Sequence, residues 1–410
     1  MRLRIRAHGS PEQLGEQWDY TGTCRWSQID YETRAVRFVG IVGREDRAEM
    51  KLPRHAEIWL KPYLADRARR KFRGDTSPIR HVWLTVADHY EPFWNHADSE
   101  TARRRMDAWR KRWPEIAGSV NGGSTNALPR YTFFYPTEQY DPEILDALAE
   151  MTQSGIADVE VHIHHDGEGR EDFIHRISTF CQILIERHGL LRTRNGRLRF
   201  GFIHGNWALD NSLPDGRWCG LNDEITILRD LGCYADFTMP SGDSPTQARS
   251  VNTLYWCTDD PRAPKSYDRG IPVRRGDGPA GDLLMVPGPL GLRWKGRLLP
   301  RMETGEVAAH DLPTAYRARL WFDLAPRIGE NAFLKLYTHG AQDANLTALL
   351  STGLPDLFEF AGKEAERRGA QIRFVSAWQM YQAIEAISAG RDPNHLVLAD
   401  EAPLPKGSQL

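Results

Sequence analysis

The chain has 410 residues, long enough for one large core or two ordinary ones, and its 40% hydrophobic and 10% aromatic content is that of a globular protein. Its 53 basic and 55 acidic residues nearly cancel, to a formal charge of −2, which excludes a global electrostatic case for nucleic acid or an acidic membrane surface. No apolar run approaches the ~20 residues a membrane-spanning helix needs, and residues 1–6 alternate arginine with apolar side chains where a signal peptide would be continuously apolar. Five widely spaced cysteines (Cys24, Cys181, Cys219, Cys233, Cys257) contain no Cys-x-x-Cys pair, the usage expected of reduced thiols in a soluble, cytoplasmic protein.

Residues 1–80 read as a separate N-terminal extension, with a strand at 35–42, another apolar stretch at 56–64 and a basic connection from Asp66 to Asp75. From residue 81 a rhythm begins. His81 to Ala87 is a strand followed by Asp88-His89-Tyr90-Glu91-Pro92, and Ala102, Met106, Trp109 and Trp113 then recur at helical spacing, the arginines between them forming a wet face. Tyr131 to Tyr135 is a strand, Asp141-Pro142 a helix start and Gly155 the position beyond its end. A strand from Asp158 and a helix near 171–187 follow. Leu198 to Ile203 is the next strand, leading into His204-Gly205-Asn206-Trp207. Asn222 is read as the cap of a helix that stops at Gly232, before a strand at 233–239. Residues 240–282, rich in Gly, Pro, Asp and Ser, are too long for an ordinary connection and read as a binding loop. A strand at 283–286, a helix near 313–326, a strand at 333–337, a helix near 355–368, a strand at 372–375 and a final helix complete the series, and 391–410 is a polar tail.

Strand-then-helix repeated seven or eight times means a parallel sheet, closed as a barrel or open and doubly wound. Polar clusters follow the strands at 88, 162, 204, 236 and 339, all at carboxyl ends. A barrel gathers those ends on one face, so the barrel is preferred. The richest cluster is Val161-His162-Ile163-His164-His165-Asp166: on a strand His162 and His164 share a face, and two imidazoles on a rigid support are a natural pair of metal ligands. A lone histidine at such a position is usually a satisfied core residue; four strand ends bearing His are hard to assign to packing. A histidine-bound metal with a carboxylate beside it suits hydrolysis, the carboxylate taking a proton from water and a second His serving the leaving group.

Those residues resemble a known family. Leu84-Thr85-Val86-Ala87-Asp88-His89 is similar to the first motif of the polysaccharide deacetylases (carbohydrate esterase family 4), and Val159 to His165 to their histidine motif. Gly232 to Asp236 resembles their Gly-aromatic strand entry and Leu334 to His339 their closing motif. Over roughly 81–390 the resemblance implies a distorted (β/α)7, TIM-like barrel and metal-dependent deacetylation of an N- or O-acylated sugar or polysaccharide. It implies Asp88 as base, His89, His162 and His164 as ligands of a divalent ion (zinc by preference), and His339 as acid. His204, Asn206, Trp207 and Asp236 are expected on the substrate. The family's second aspartate is His89 here and the histidine spacing is two, not four; a shift of one in register would make Asp88 a ligand. A glycoside hydrolase using carboxylates such as Asp88, Glu91, Asp166 or Asp236, and a non-catalytic carbohydrate-binding barrel, are the alternatives.

Overall fold

Alternation along the first long strand sets the architecture. In β1 (His81–His89), Val82, Leu84 and Val86 face one way, against Met106, Trp109 and Trp113 of α2 (Ser99–Ser119), while Trp83 and Ala87 face the other. A strand buried on both faces is near-continuously apolar, which is why only Thr85 interrupts the apolar run between His81 and Asp88. The structure is a computed structural model and describes residues 52–72, 78–120, 127–294 and 300–393, all within one unit that begins at Arg47.

Six further strands continue the sheet: β2 (Tyr131–Pro136), β3 (Ala157–Ile163), β4 (Arg197–His204), β5 (Cys233–Asp236), β6 (Leu283–Met285) and β7 (Asn331–Thr338). They pair in parallel in the order β7-β1-β2-β3-β4-β5-β6. A shorter strand, β8 (Gln371–Phe374), lies parallel to the first half of β1. The helices that alternate with them are α3 (Pro142–Gln153), α4 (Arg170–Glu186), α5 (Glu224–Leu231), α6 (Ala315–Leu324), α7 (Asp343–Ala348), α8 (Leu354–Arg367) and α9 (Ala377–Ser388). The protein is therefore α/β with a mostly parallel central sheet, as expected.

The sheet curls. Lys335 Nζ on β7 donates to the Phe237 carbonyl just past β5 at 2.7 Å, although four strands separate β7 from β5 in the hydrogen-bonded order. The concave face so enclosed is filled by Trp83, Ala87, Phe134, Ile203, Phe237 and Phe333, with Trp378 and Tyr381 of α9 packed on Tyr234. Among the described residues no ladder joins β7 to β6, so the architecture is barrel-like without a hydrogen-bonded seam.

Local signals act as read at most helix ends. Asp141 accepts from the Glu143 and Ile144 amides at the start of α3, and Gly155 (φ 75°) lies beyond its end. Three readings differ. The helix after β4 begins at Glu224, and Asn222 instead accepts the Asn211 side-chain amide at 2.8 Å. Within 240–282, Tyr255–Cys257 pairs antiparallel with β6 and Ile271–Pro272 pairs with it in turn, so part of the expected loop extends the sheet. Arg105, assigned to a wet face, is buried in a two-pronged ion pair with Asp343.

The stretch at 56–64 begins the helix α1 (Ala56–Phe72), whose Trp59 and Tyr63 pack on Val251, Leu290 and Leu324. The strand at 35–42 and the tail beyond 393 lie outside the described residues.

Candidate metal centre

At the carboxyl ends of β1, β3 and β7 the strands deliver histidines to the concave face. His89 shares the face of Ala87; His162 shares that of Glu160, opposite Val161 and Ile163; His164 stands just past the end of β3 and His339 just past β7. The rings of His89 and His339 are 4.8 Å apart, those of His89 and His162 5.3 Å, and those of His162 and His164 4.6 Å. Four of the five histidines expected in the mouth therefore converge.

At their centre is Glu91. Its Oε1 lies 3.5 Å from His162 Nε2 and 3.7 Å from His164 Nε2, and it forms one candidate ligand group with His89 and His339 and another with His162 and His164. Burial works against its charge, but the imidazoles of His162, His164 and His339 outweigh it and hold the carboxyl down to about 2. Burial, followed by the neighbouring His339, His162 and Lys335, keeps His89 neutral far below the usual imidazole range, which leaves a ring nitrogen free to ligate.

The surroundings fix ring orientation as metal sites do. His162 Nδ1 sits 2.9 Å from the Ile203 carbonyl, so that nitrogen carries the proton and Nε2 presents a lone pair. His164 Nδ1 lies 2.6 Å from Glu138 Oε1. The His164 ring also needs Gly205: a Cβ there would fall 2.3 Å from its Cδ2. Both His89 Nε2 and His162 Nε2 are buried without a hydrogen-bond partner, a costly arrangement for polar atoms. The donor set fits a divalent cation.

The remaining expected residues are distributed differently. Trp207 stands at the cluster, its ring 6.1 Å from His89 and 6.2 Å from His339, and its Nε1 is buried and unpartnered. Asn206 beside it is half-buried. Asp88 is turned to the helix side of the sheet, where Oδ1 accepts the Gly340 amide at 2.6 Å and Oδ2 the Tyr131 hydroxyl at 3.0 Å. Burial pushes its carboxyl up to about 7. The physical reason is strand parity: β1 continues to His89, so Asp88 and His89 cannot face the same way.

Asp236 is buried on Thr238, accepting both its amide and its hydroxyl, and His204 points to the helix side against His165 and Glu224. Neither joins the mouth. Glu138 is the member the sequence reading missed; it sits in the turn after β2, another carboxyl end in the same series.

No protein-family model matches the chain, and no curated protein matches it. Among solved structures, one provisionally named a polysaccharide deacetylase, from Mycobacterium smegmatis, is similar over 76% of this chain and 91% of its own, at 12% identity and a TM-score of 0.39.

Proposed function

We propose that the protein is a metal-dependent hydrolase that removes an acyl group, acetyl foremost, from an N- or O-acylated sugar. The observation that carries this reading is the pair of buried, unpartnered nitrogens, His89 Nε2 and His162 Nε2, gathered with Glu91 at the strand ends. His89, His162 and His164 are the residues that would hold the ion, with Glu91 beside them, and imidazole donors favour zinc. A bound divalent ion supplies Lewis acidity toward the acyl carbonyl and acidity to water.

The chain's own groups carry the proton. Glu91, ionised and within 4 Å of two imidazoles, is placed to accept it from the attacking water. His339 is kept below the usual imidazole range by burial, against the pull of Glu91, so it is neutral at rest. It can take from Glu91 the proton that the water gave up and deliver it to the departing amine or alcohol, which returns Glu91 to its ionised form. Trp207 offers an aromatic face for a sugar ring and a free indole N–H for one of its oxygens. Among the carboxylates a glycosidase would use, Asp88, Asp236 and Asp166 (which accepts the Trp218 amide) are committed elsewhere, leaving Glu91. The described cysteines Cys181, Cys219, Cys233 and Cys257 are buried free thiols, in keeping with a reducing compartment such as the cytoplasm.

The test is metal analysis of the purified protein together with acetate release from an acetylated chitooligosaccharide. Metal with acetate release supports the reading. Metal without it leaves a binding protein, and neither sinks the proposal.

A further inference from the structure

On the helix-facing side of the sheet lies a second convergence that the chemistry above does not use. His165 follows β3, His204 ends β4, Cys219 lies in the loop beyond, and Glu224 opens α5; all four are buried. One ligand atom from each lies within 4.8 Å of every other. His165 Nε2 is 2.9 Å from His204 Nε2 and 3.3 Å from Glu224 Oε1; His204 Nε2 is 3.4 Å from the same oxygen. Cys219 Sγ stands 3.3 Å from Glu224 Oε2. Ligand atoms bonded to a tetrahedral zinc at ~2.0–2.3 Å stand ~3.3–3.6 Å apart, so these atoms already approach the spacing of a closed shell.

Three of the four are also held by backbone contacts. His204 Nδ1 lies 2.6 Å from the Gly205 carbonyl, which puts its proton there and its lone pair at Nε2. Cys219 Sγ accepts the backbone N–H groups of Asn211 at 3.2 Å and Leu221 at 3.5 Å, although burial and the neighbouring Glu224 favour the thiol when no ion is bound. Glu224 Oε2 receives the Asp210 amide at 2.6 Å.

A further observation points to an ion. Among the described residues Glu224 has no Lys or Arg ion-pair partner, only the two imidazoles, and a buried carboxylate needs a compensating charge.

We propose that His165, His204, Cys219 and Glu224 hold a second divalent ion, zinc by the chemistry of its donors, in a closed structural site. One thiolate and one carboxylate neutralise the ion's two charges, leaving a net-neutral group suited to a dry location. The site ties the loop between His204 and Glu224, which carries Trp207, to β4 and α5. Without an ion the same atoms form a hydrogen-bond chain, His165 donating to His204, with Cys219 a thiol. The two arrangements differ in metal uptake and in sulfur ligation.

The experiment strips the full-length protein with a chelator and titrates it with Co2+ alone. About two equivalents are expected, one giving a thiolate-to-cobalt charge-transfer band that Cys219→Ser abolishes. In the His162→Ala/His164→Ala variant the band should persist with about one equivalent, and X-ray absorption of its zinc form should show a Zn–S distance of ~2.3 Å. That second variant keeps the test open if Cys219→Ser fails to fold. Uptake of a single, sulfur-free ion overturns this proposal and leaves the hydrolase reading standing. A single sulfur-ligated ion supports it and counts against the mouth site. No uptake overturns both.

Discussion

Asp88 and Glu91 divide between them the roles that a carboxylate near the mouth could have. Asp88 accepts the Gly340 amide and the Tyr131 hydroxyl, and a Cβ on Gly340 would fall 2.2 Å from its Oδ2, so it fixes the backbone next to His339. Glu91 is the ionised group among the imidazoles. Glu91→Gln should therefore lower acetate release by the ~10²–10⁴-fold typical of a general base, and Asp88→Asn far less, with kcat measured on metal-loaded protein. The reverse ranking would return the base to Asp88.

Asp88 also carries a pH signature. Its folded pKa of about 7 lies above the ordinary aspartate value, so the folded state holds this proton more tightly than the unfolded chain. Its contribution is fully present below pH ~4 and is lost as pH rises toward about 7. Asp88→Asn removes that loss, so the fall of Tm over this window should become shallower in thermal scans. Asp236, also pushed up to about 7 by burial, keeps some slope in the variant.

Glu138 is the third residue-scale case. Burial disfavours the His164 charge, but Glu138 at 2.6 Å, with Glu91 behind it, brings the imidazole up to about 9. A carboxylate behind a ligating imidazole raises its basicity and fixes its ring. Glu138→Gln is expected to weaken metal affinity ~10–100-fold, read by competition with a chromophoric chelator. Unchanged affinity would remove His164 from the ligand set.

At the scale of elements, the site depends on where strands stop and helices begin. α5 ends at Gly232 with φ 101°, a left-handed conformation that lets β5 start at the next residue. A Cβ there would fall 2.1 Å from the Leu198 carbonyl of β4. Gly232→Ala thus meets strain and collision together and should cost more than about 1 kcal/mol in urea denaturation. A neutral result would mean that β4 and α5 are not held as tightly as their geometry implies.

For the whole molecule, the curl of the sheet brings β1, β3 and β7 to one mouth and buries a cluster of imidazoles with few hydrogen-bond partners. Metal that binds only this folded arrangement stabilises it by mass action, by about 2.7 kcal/mol at a free concentration 100 times the Kd. The thermal midpoint of chelator-treated protein should therefore rise with added Zn2+. A midpoint indifferent to metal would argue that the imidazoles are satisfied without it.

Much of this was legible in the residues. The apolar runs, Asp141-Pro142 and Gly232 determined the strands and helix ends, because capping and backbone freedom act over a few residues. The order of strand ends bearing His89, His162, His164 and His339 was enough to place a histidine cluster at the carboxyl face. Which carboxylate joined it was decided only in three dimensions. Asp88 and His89 are neighbours in sequence, but strand parity sends one to the helix layer and one to the mouth. His164 and His165, also adjacent, separate beyond the end of β3 into two different clusters, and Cys219 and Glu224 meet His204 through a loop whose path no local pattern encodes. Side-chain identity and local propensity are properties of the chain. Facing, burial and the meeting of distant groups come from the curl of the sheet, which many weak contacts set jointly.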